Sequence, residues 1–372
     1  MKRLLSYSLL LVIPLLFQFG CEKNRDKVLN SDLFYRTAGT LKTTSARIDS
    51  VTRYKSDMGS VSITIAGKYQ DMSAFTLVKF AKPLTKVLNT LDKAVLKFTV
   101  SNVWTEGINE FELYATNSDW EDTTKINSKL FLDALGTPFA VVADTSSTFS
   151  TLIFNLDEAG IKYLKSWQSS GSFLLKNTSN GKAMIGVYTN EGLSPPKLIL
   201  YSHADTESDT TNVTSTDGNY SFDNGLSGEI NNKRSGILSE GNYEGFIMHF
   251  SLPDSFSATN AVNRCKLAIP IEKNFIPSGN TLDLSISILT ASYAETDSTA
   301  ILSSSTIDYT INPGDTVMEL DFSSIFNTMY KSLNYNYGIL FKPSDSYLTP
   351  SQVFVTAPDS IGITYTTLPE VR

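Results

Sequence analysis

Residues 96–100, Leu96-Lys97-Phe98-Thr99-Val100, alternate apolar and polar side chains, and a similar alternation returns at Leu267-Ala268-Ile269-Pro270-Ile271. A period of two sends every second side chain to one face, so each stretch predicts a strand with one buried side. Outward from the first lie Ser62-Ile63-Thr64-Ile65, Phe75 to Phe80 and Phe111-Glu112-Leu113-Tyr114, separated by turn-rich segments. Many short strands at this spacing predict a sandwich or barrel. Helical spacing occurs convincingly in two places. After Phe154-Asn155-Leu156, Ile161, Leu164 and Trp167 recur every three residues, with Asp157 placed as N-cap; after Leu320-Asp321-Phe322 come Phe326, Met329 and Leu333, with Ser323 or Ser324 as cap.

These features recur in order. Gly67 to Asp71 matches Gly241 to Gly245, Leu77 to Phe80 matches Ile247 to Phe250, and Leu96 to Val100 matches Leu267 to Ile271. After the strand-to-helix corner, Phe173 to Lys176 matches Ile339 to Lys342, and Lys197 to Tyr201 matches Ile361 to Tyr365. The separation drifts slowly, from about 170 residues to about 164, as expected for two diverged copies with small loop deletions. Between them, Ser202 to Asn219 is acidic and rich in Ser and Thr, with only Ala204 and Val213 apolar, and predicts an exposed linker. The expectation is an all-β protein of two tandem jelly-roll-like antiparallel sandwiches, each with one short helix. The first would span 45–204 and the second 212–368, joined by a linker at 205–211.

Composition narrows the function. The 372 residues carry 31 Lys+Arg against 38 Asp+Glu, a net charge of −7, which disfavours nucleic acid as partner. Cys21, Cys265, His203 and His249 are the whole Cys and His complement, too few for a zinc or iron–sulfur cluster. Cys265 alternates with Leu267 and Ile269, which predicts a buried small hydrophobe.

At the N-terminus Lys2 and Arg3 precede an apolar run from Leu9 to Phe19, too short to span a bilayer but suited to a secretory signal. It ends in Phe17-Gln18-Phe19-Gly20-Cys21, which resembles the lipobox of bacterial lipoproteins. The resemblance implies that 1–20 are removed, that Cys21 is lipidated, and that residues 21–44 tether the protein to a membrane. Several acyl chains on Cys21 would anchor it stably.

A second resemblance covers about 75 to 201. A Val95 to Phe98 strand, Trp120-Glu121-Asp122-Thr123, a Phe154 to Trp167 corner and helix, Phe173 to Lys176, and a Pro196 to Tyr201 final strand resemble the DNRLRE-type domains. Those are jelly-roll sandwiches of secreted and surface proteins, some of them carbohydrate-binding modules. The lipobox followed by two such domains also resembles the surface lipoproteins of Bacteroidota. The implied setting is the outer membrane or cell surface.

Catalytic patterns are scarce. Gly-x-Ser-x-Gly, phosphate-loop and dinucleotide fingerprints are absent, and neither histidine sits in a nucleophile context. Sugar binding instead needs exposed aromatics beside hydrogen-bonding groups. Trp104, in the expected loop Asn102 to Gly107, is the first candidate, Trp120 the second, and Tyr188 could border the same loop end. Asp119, Glu121 and Asp122 could line a calcium-bound turn, the one cofactor considered. The favoured expectation is a non-catalytic, lipid-anchored protein binding glycan or extracellular matrix. The alternative is a structural or assembly lipoprotein that binds another envelope protein. A polysaccharide hydrolase with paired carboxylates ranks last.

Overall fold

The alternating stretches form antiparallel strands in a computed structural model that describes residues 40–55, 61–116, 119–121, 126, 128–144, 150–204, 207–223, 233–252, 260–293, 302–331, 337–344 and 349–367. Within the first half lie β2 (Ile63–Tyr69), β3 (Met72–Ala81), β4 (Leu91–Thr105), β5 (Asn109–Thr116), β6 (Ala140–Asp144), β7 (Thr151–Asn155), β8 (Ser170–Asn177), β9 (Ala183–Tyr188), β10 (Lys197–Ala204) and β11 (Glu207–Asp223). The second half holds β12 (Ser235–Ser239), β13 (Glu244–Ser251), β14 (Ala261–Asn274), β15 (Leu282–Leu289), β16 (Leu302–Ile311), β17 (Val317–Asp321), β18 (Ile339–Pro343), β19 (Gln352–Thr356) and β20 (Ser360–Thr367). One further strand, β1 (Thr40–Lys55), precedes them all.

The strands pair into two sheets of ten. One runs β11-β10-β4-β9-β2-β3-β8-β5-β6 with β7 on β4; the other runs β1-β20-β14-β19-β12-β13-β18-β15-β16 with β17 on β14. Position by position the two orders are the same. In each, a long strand closes the sheet on itself, β11 by returning to β3 and β1 by returning to β13. The result is a pair of sandwiches whose layers are joined by strands that pass from one to the other.

Three β-bulges recur at matching points. Asp92 is skipped between Lys93–Tyr201 and Leu91–Ser202, as Asn263 is between Arg264–Thr364 and Val262–Tyr365. Ser101 and Glu272 bulge where β4 and β14 change partner to β9 and β19. Thr216 and Asp49 bulge where β11 and β1 pass to β3 and β13. Bulges bend and twist a strand, so they sit where a strand must turn the corner between layers.

This register corrects one expected match. Tyr201 corresponds to Thr364 and Ser202 to Tyr365, one residue away from the sequence pairing of Tyr201 with Tyr365. A one-residue slip exchanges faces. Tyr201 is accordingly exposed, whereas Tyr365 is buried.

The pairing also corrects the expected domain limits. Residues 207–223 are a strand hydrogen-bonded to β10 and then β3, so 207–211 of the segment read as a linker at 205–211, and the start of the second domain at 212, belong to the first sandwich. Residues 40–55, read as the end of a tether and the start of the first domain, belong to the second sandwich through β20 and β13. Main-chain hydrogen bonds hold β11 in place whatever its side chains, and its threonines suit extended backbone. Its apolar contribution, Tyr220 and Phe222, comes just after the polar window that suggested a linker.

Each sandwich has its own core. The first gathers Phe80, Leu96, Phe98, Phe111, Phe154, Trp167 and Phe173. The second gathers Phe246, Leu267, Ile269, Ile286, Phe322 and Phe341 together with Ala46 and Ile48 of β1. Cys265 is buried there as expected, and burial pushes its thiol up to about 12.

Both expected helices are present, α3 (Glu158–Ser166) and α4 (Ser323–Lys331), and the first sandwich adds two short ones, α1 (Thr85–Asn89) and α2 (Ser128–Asp133). Asp157 caps α3 by accepting from the Gly160 N–H at 2.8 Å. In α4 the expected serine cap is replaced. Phe322 supplies the first helical carbonyl, to Phe326 N–H, and the Asp321 carboxylate accepts from Ser323 N–H at 2.9 Å. The Ser323 hydroxyl instead accepts from Cys265 N–H, and the Asn327 side chain bonds both the N–H and C=O of Val262. These bonds dock α4 on β14. In the first sandwich Trp167 lies on Gly171, where a Cβ would come within 1.8 Å of the indole.

Candidate functional site

The aromatic platform expected for sugar stacking is not assembled. Trp104 lies within β4 rather than in a loop, 7% exposed. It packs with Ile65, Met72, Met184, Tyr220 and Phe222, a cluster that Tyr243 and Phe275 of the second sandwich cover. Trp120 is 2% exposed beneath Phe75, Leu77, Tyr114 and Leu174. The Lys79 ammonium donates to the Trp120 carbonyl and lies 5.0 Å from its ring centroid. Tyr188 is half-buried and pairs with Ile63, at the end of β9 opposite to Ala183, which pairs with Thr105 beside Trp104. The three side chains therefore occupy separate places. A tryptophan rich in apolar contact is worth more in the contact between the sandwiches than on a surface.

Asp119 and Glu121 of the expected calcium turn are exposed, and Asp122 lies outside the described residues. Among the described residues no group of three or more His, Cys, Asp or Glu is close enough to hold a metal ion. Cys21 and its signal also lie outside the described residues, and among those described no helix is long and apolar enough to cross a membrane.

A cleft with polar and apolar walls lies at the end of the first sandwich nearest Trp104. Two adjoining hollows of about 350 and 260 Å³ share Lys68 and Ser179. Gln70, Asp71, Glu106 and Lys182 line the first; Ser73, Asn177, Thr178, Ser221 and Asp223 line the second. The β2–β3 hairpin supplies 68–73, the β4–β5 turn supplies Glu106, α2 supplies Ser128 and Leu132, the β8–β9 turn supplies 177–182, and the end of β11 supplies 221 and 223.

Two side chains in this cleft carry buried, unsatisfied polar atoms. Asn177 is 8% exposed, yet neither Oδ1 nor Nδ2 has a hydrogen-bond partner. The backbone is shaped around it. Gly67, at φ +119°, would put a Cβ 2.7 Å from Asn177 Oδ1, and Gly181 would put one 2.8 Å from Nδ2. Gln70 sits in the left-handed region at φ 51°, and its buried Oε1 is also without a partner. Around them the groups are committed. Lys176 Nζ bonds Glu112 at 2.9 Å and lies over the Tyr114 ring, whose hydroxyl is held by the same carboxylate. Thr178 donates to Glu110 at 2.6 Å and accepts from Gly181 N–H, which fixes the turn. Burial first, and then the Glu106 charge, raise the Tyr69 phenol above its ordinary pKa, keeping it a neutral donor near the rim.

Nothing in this cleft pairs a nucleophile with a base. Elsewhere, the Ser251 hydroxyl donates to Asp49, whose carboxyl is held below its ordinary pKa by that bond first and also feels the His249 charge. His203 contacts Asp92 on the surface. The cleft can hold a ligand by hydrogen bonds to hydroxyl, carboxamide and carboxylate groups. Sequence alone offered only one hint of it, the conjunction of Gly67 and Gly181 with polar turn residues. In comparisons with family models and with curated proteins, the chain matches none.

Proposed function

We propose that this chain is a non-catalytic, lipid-anchored envelope protein that binds a hydroxyl-rich ligand, a glycan or matrix polysaccharide, in the cleft around Asn177. One observation carries the reading. A carboxamide that is buried with both polar atoms unpaired costs roughly 1–3 kcal/mol per group, a cost relieved when the surrounding turns shift to let a ligand supply partners. Recognition would then rest on hydrogen bonds, not on stacking against Trp104 or Trp120. A glycan array or affinity gel with wild type and Asn177→Leu tests it. Retention by wild type that falls at least tenfold in the variant, with thermal stability unchanged or raised, is the expected outcome; equal retention by both, or none by either, removes the reading.

The alternative, a structural or assembly lipoprotein that binds another envelope protein, draws on a different observation, the strand traffic between the sandwiches. Stoichiometric recovery of a protein partner with no glycan retained would favour it.

A further inference from the structure

The two sandwiches exchange their leading strands. Each copy begins with a long strand, β1 ahead of β2–β10 and β11 ahead of β12–β20, and each of these strands completes the other copy's sheet. The two are not held alike. Only residues 205 and 206 separate β11 from its partner β10, so hairpin geometry confines it. β1 is tied to the rest only through residues 56–62, and its partners β20 and β13 lie about 190 to 330 residues away along the chain.

We propose that chains associate by exchanging β1, so that β1 of one copy occupies the slot between β20 and β13 in the second sandwich of another. The occupant is a second copy because the slot is specific for this strand. The buried Glu244 needs the guanidinium of Arg53, Ala46 and Ile48 fill the core, and the Asp49 bulge marks the corner at which the strand changes sheet. Exchange between copies reproduces these contacts without loss, which is why swapping an identical element is a low-cost route to oligomers. Val61 and Ser62 accept from Thr189 of the first sandwich, so residues 56–60 span at most roughly 18 Å and the recipient's second sandwich must lie beside the donor's first. Tethering to one membrane would raise the effective concentration of partners. The proposal is independent of the cleft.

Arg47 of β1 and Ser251 of β13 are backbone partners and both are exposed. Full-length R47C and S251C variants are therefore unfolded together, refolded at high protein concentration and oxidised mildly, and disulfide-linked peptides are identified by mass spectrometry. A link between position 47 of one variant and position 251 of the other, in a yield that rises with concentration, supports exchange. The double variant R47C/S251C in one chain is the reference. If it closes within the monomer while the mixed single variants give no 47–251 link at any concentration, the proposal is overturned. Absence of the link in both experiments overturns it too, since β1 would then not occupy the slot.

Discussion

Replacing Arg53 with methionine should loosen the second sandwich and leave the first intact. Glu244 is fully buried, and its partner Arg53 reaches it from β1 with Nη2 2.8 Å from Oε2. Burial raises the Glu244 pKa, and the Arg53 hydrogen bond and charge oppose that rise. Removing one member of a buried pair costs about 3–5 kcal/mol. Arg53 is 42% exposed, so water already screens part of the attraction, and about 2–4 kcal/mol is the working figure. With a urea slope of about 2 kcal/mol per molar, the midpoint should fall by about 1–2 M. The assay follows from where the tryptophans lie. Trp120 and Trp167 lie inside the first sandwich whereas Trp104 touches the second, so in a Trp104→Phe background fluorescence reports the first sandwich while far-UV circular dichroism reports both. In Arg53→Met the dichroism should acquire an early phase that fluorescence does not show. Glu244→Gln in the same background should recover at least half the loss, because no charge is then buried. The raised acid is neutral below its unfolded pKa, so the penalty should shrink as pH falls through the native value. A midpoint shift below about 0.3 M, or no rescue by Glu244→Gln, would refute the reasoning.

Three further outcomes can be checked. Trp104→Ala should cost about 3–5 kcal/mol, read by urea denaturation, because the indole fills the contact between the sandwiches; an unchanged midpoint would mean it is a surface residue. Glu240 is buried with its pKa pushed up to about 8, mainly by desolvation, so its contribution is complete below the unfolded value near 4.5 and is lost as pH rises to about 8. The local slope approaches about 1.4 kcal/mol per pH unit, and Glu240→Gln should flatten the pH dependence of the urea midpoint over that window. Finally, a fragment of residues 61–223 should fold with Trp120 and Trp167 protected from solvent quenchers, whereas 224–372 should unfold without cooperativity until a peptide of residues 40–55 is added; cooperative folding of 224–372 by itself would contradict the strand pairing.

The fold class was legible because strand alternation and the Asp157 cap are local, encoded within a few neighbouring residues. Trp167 and Cys265 could be placed in cores for the same reason, their spacing relative to apolar neighbours. The repeated order of motifs also survived divergence well enough to reveal the duplication. The Asn177 cleft was not legible, because its lining comes from five separated segments and its defining property is an unpaired carboxamide. A missing hydrogen bond has no sequence pattern.

By itself, then, the sequence determined that two copies of one antiparallel unit would form, each around a core of alternating apolar residues. Only the tertiary structure decided which strand completes which copy. Main-chain hydrogen bonds carry no record of their partner in the residues that make them, so β11 looked like a linker and β1 like a tether. The same holds for Trp104. Its type announced a large apolar surface, but whether that surface meets a ligand or a neighbouring sandwich depends on what the fold brings against it.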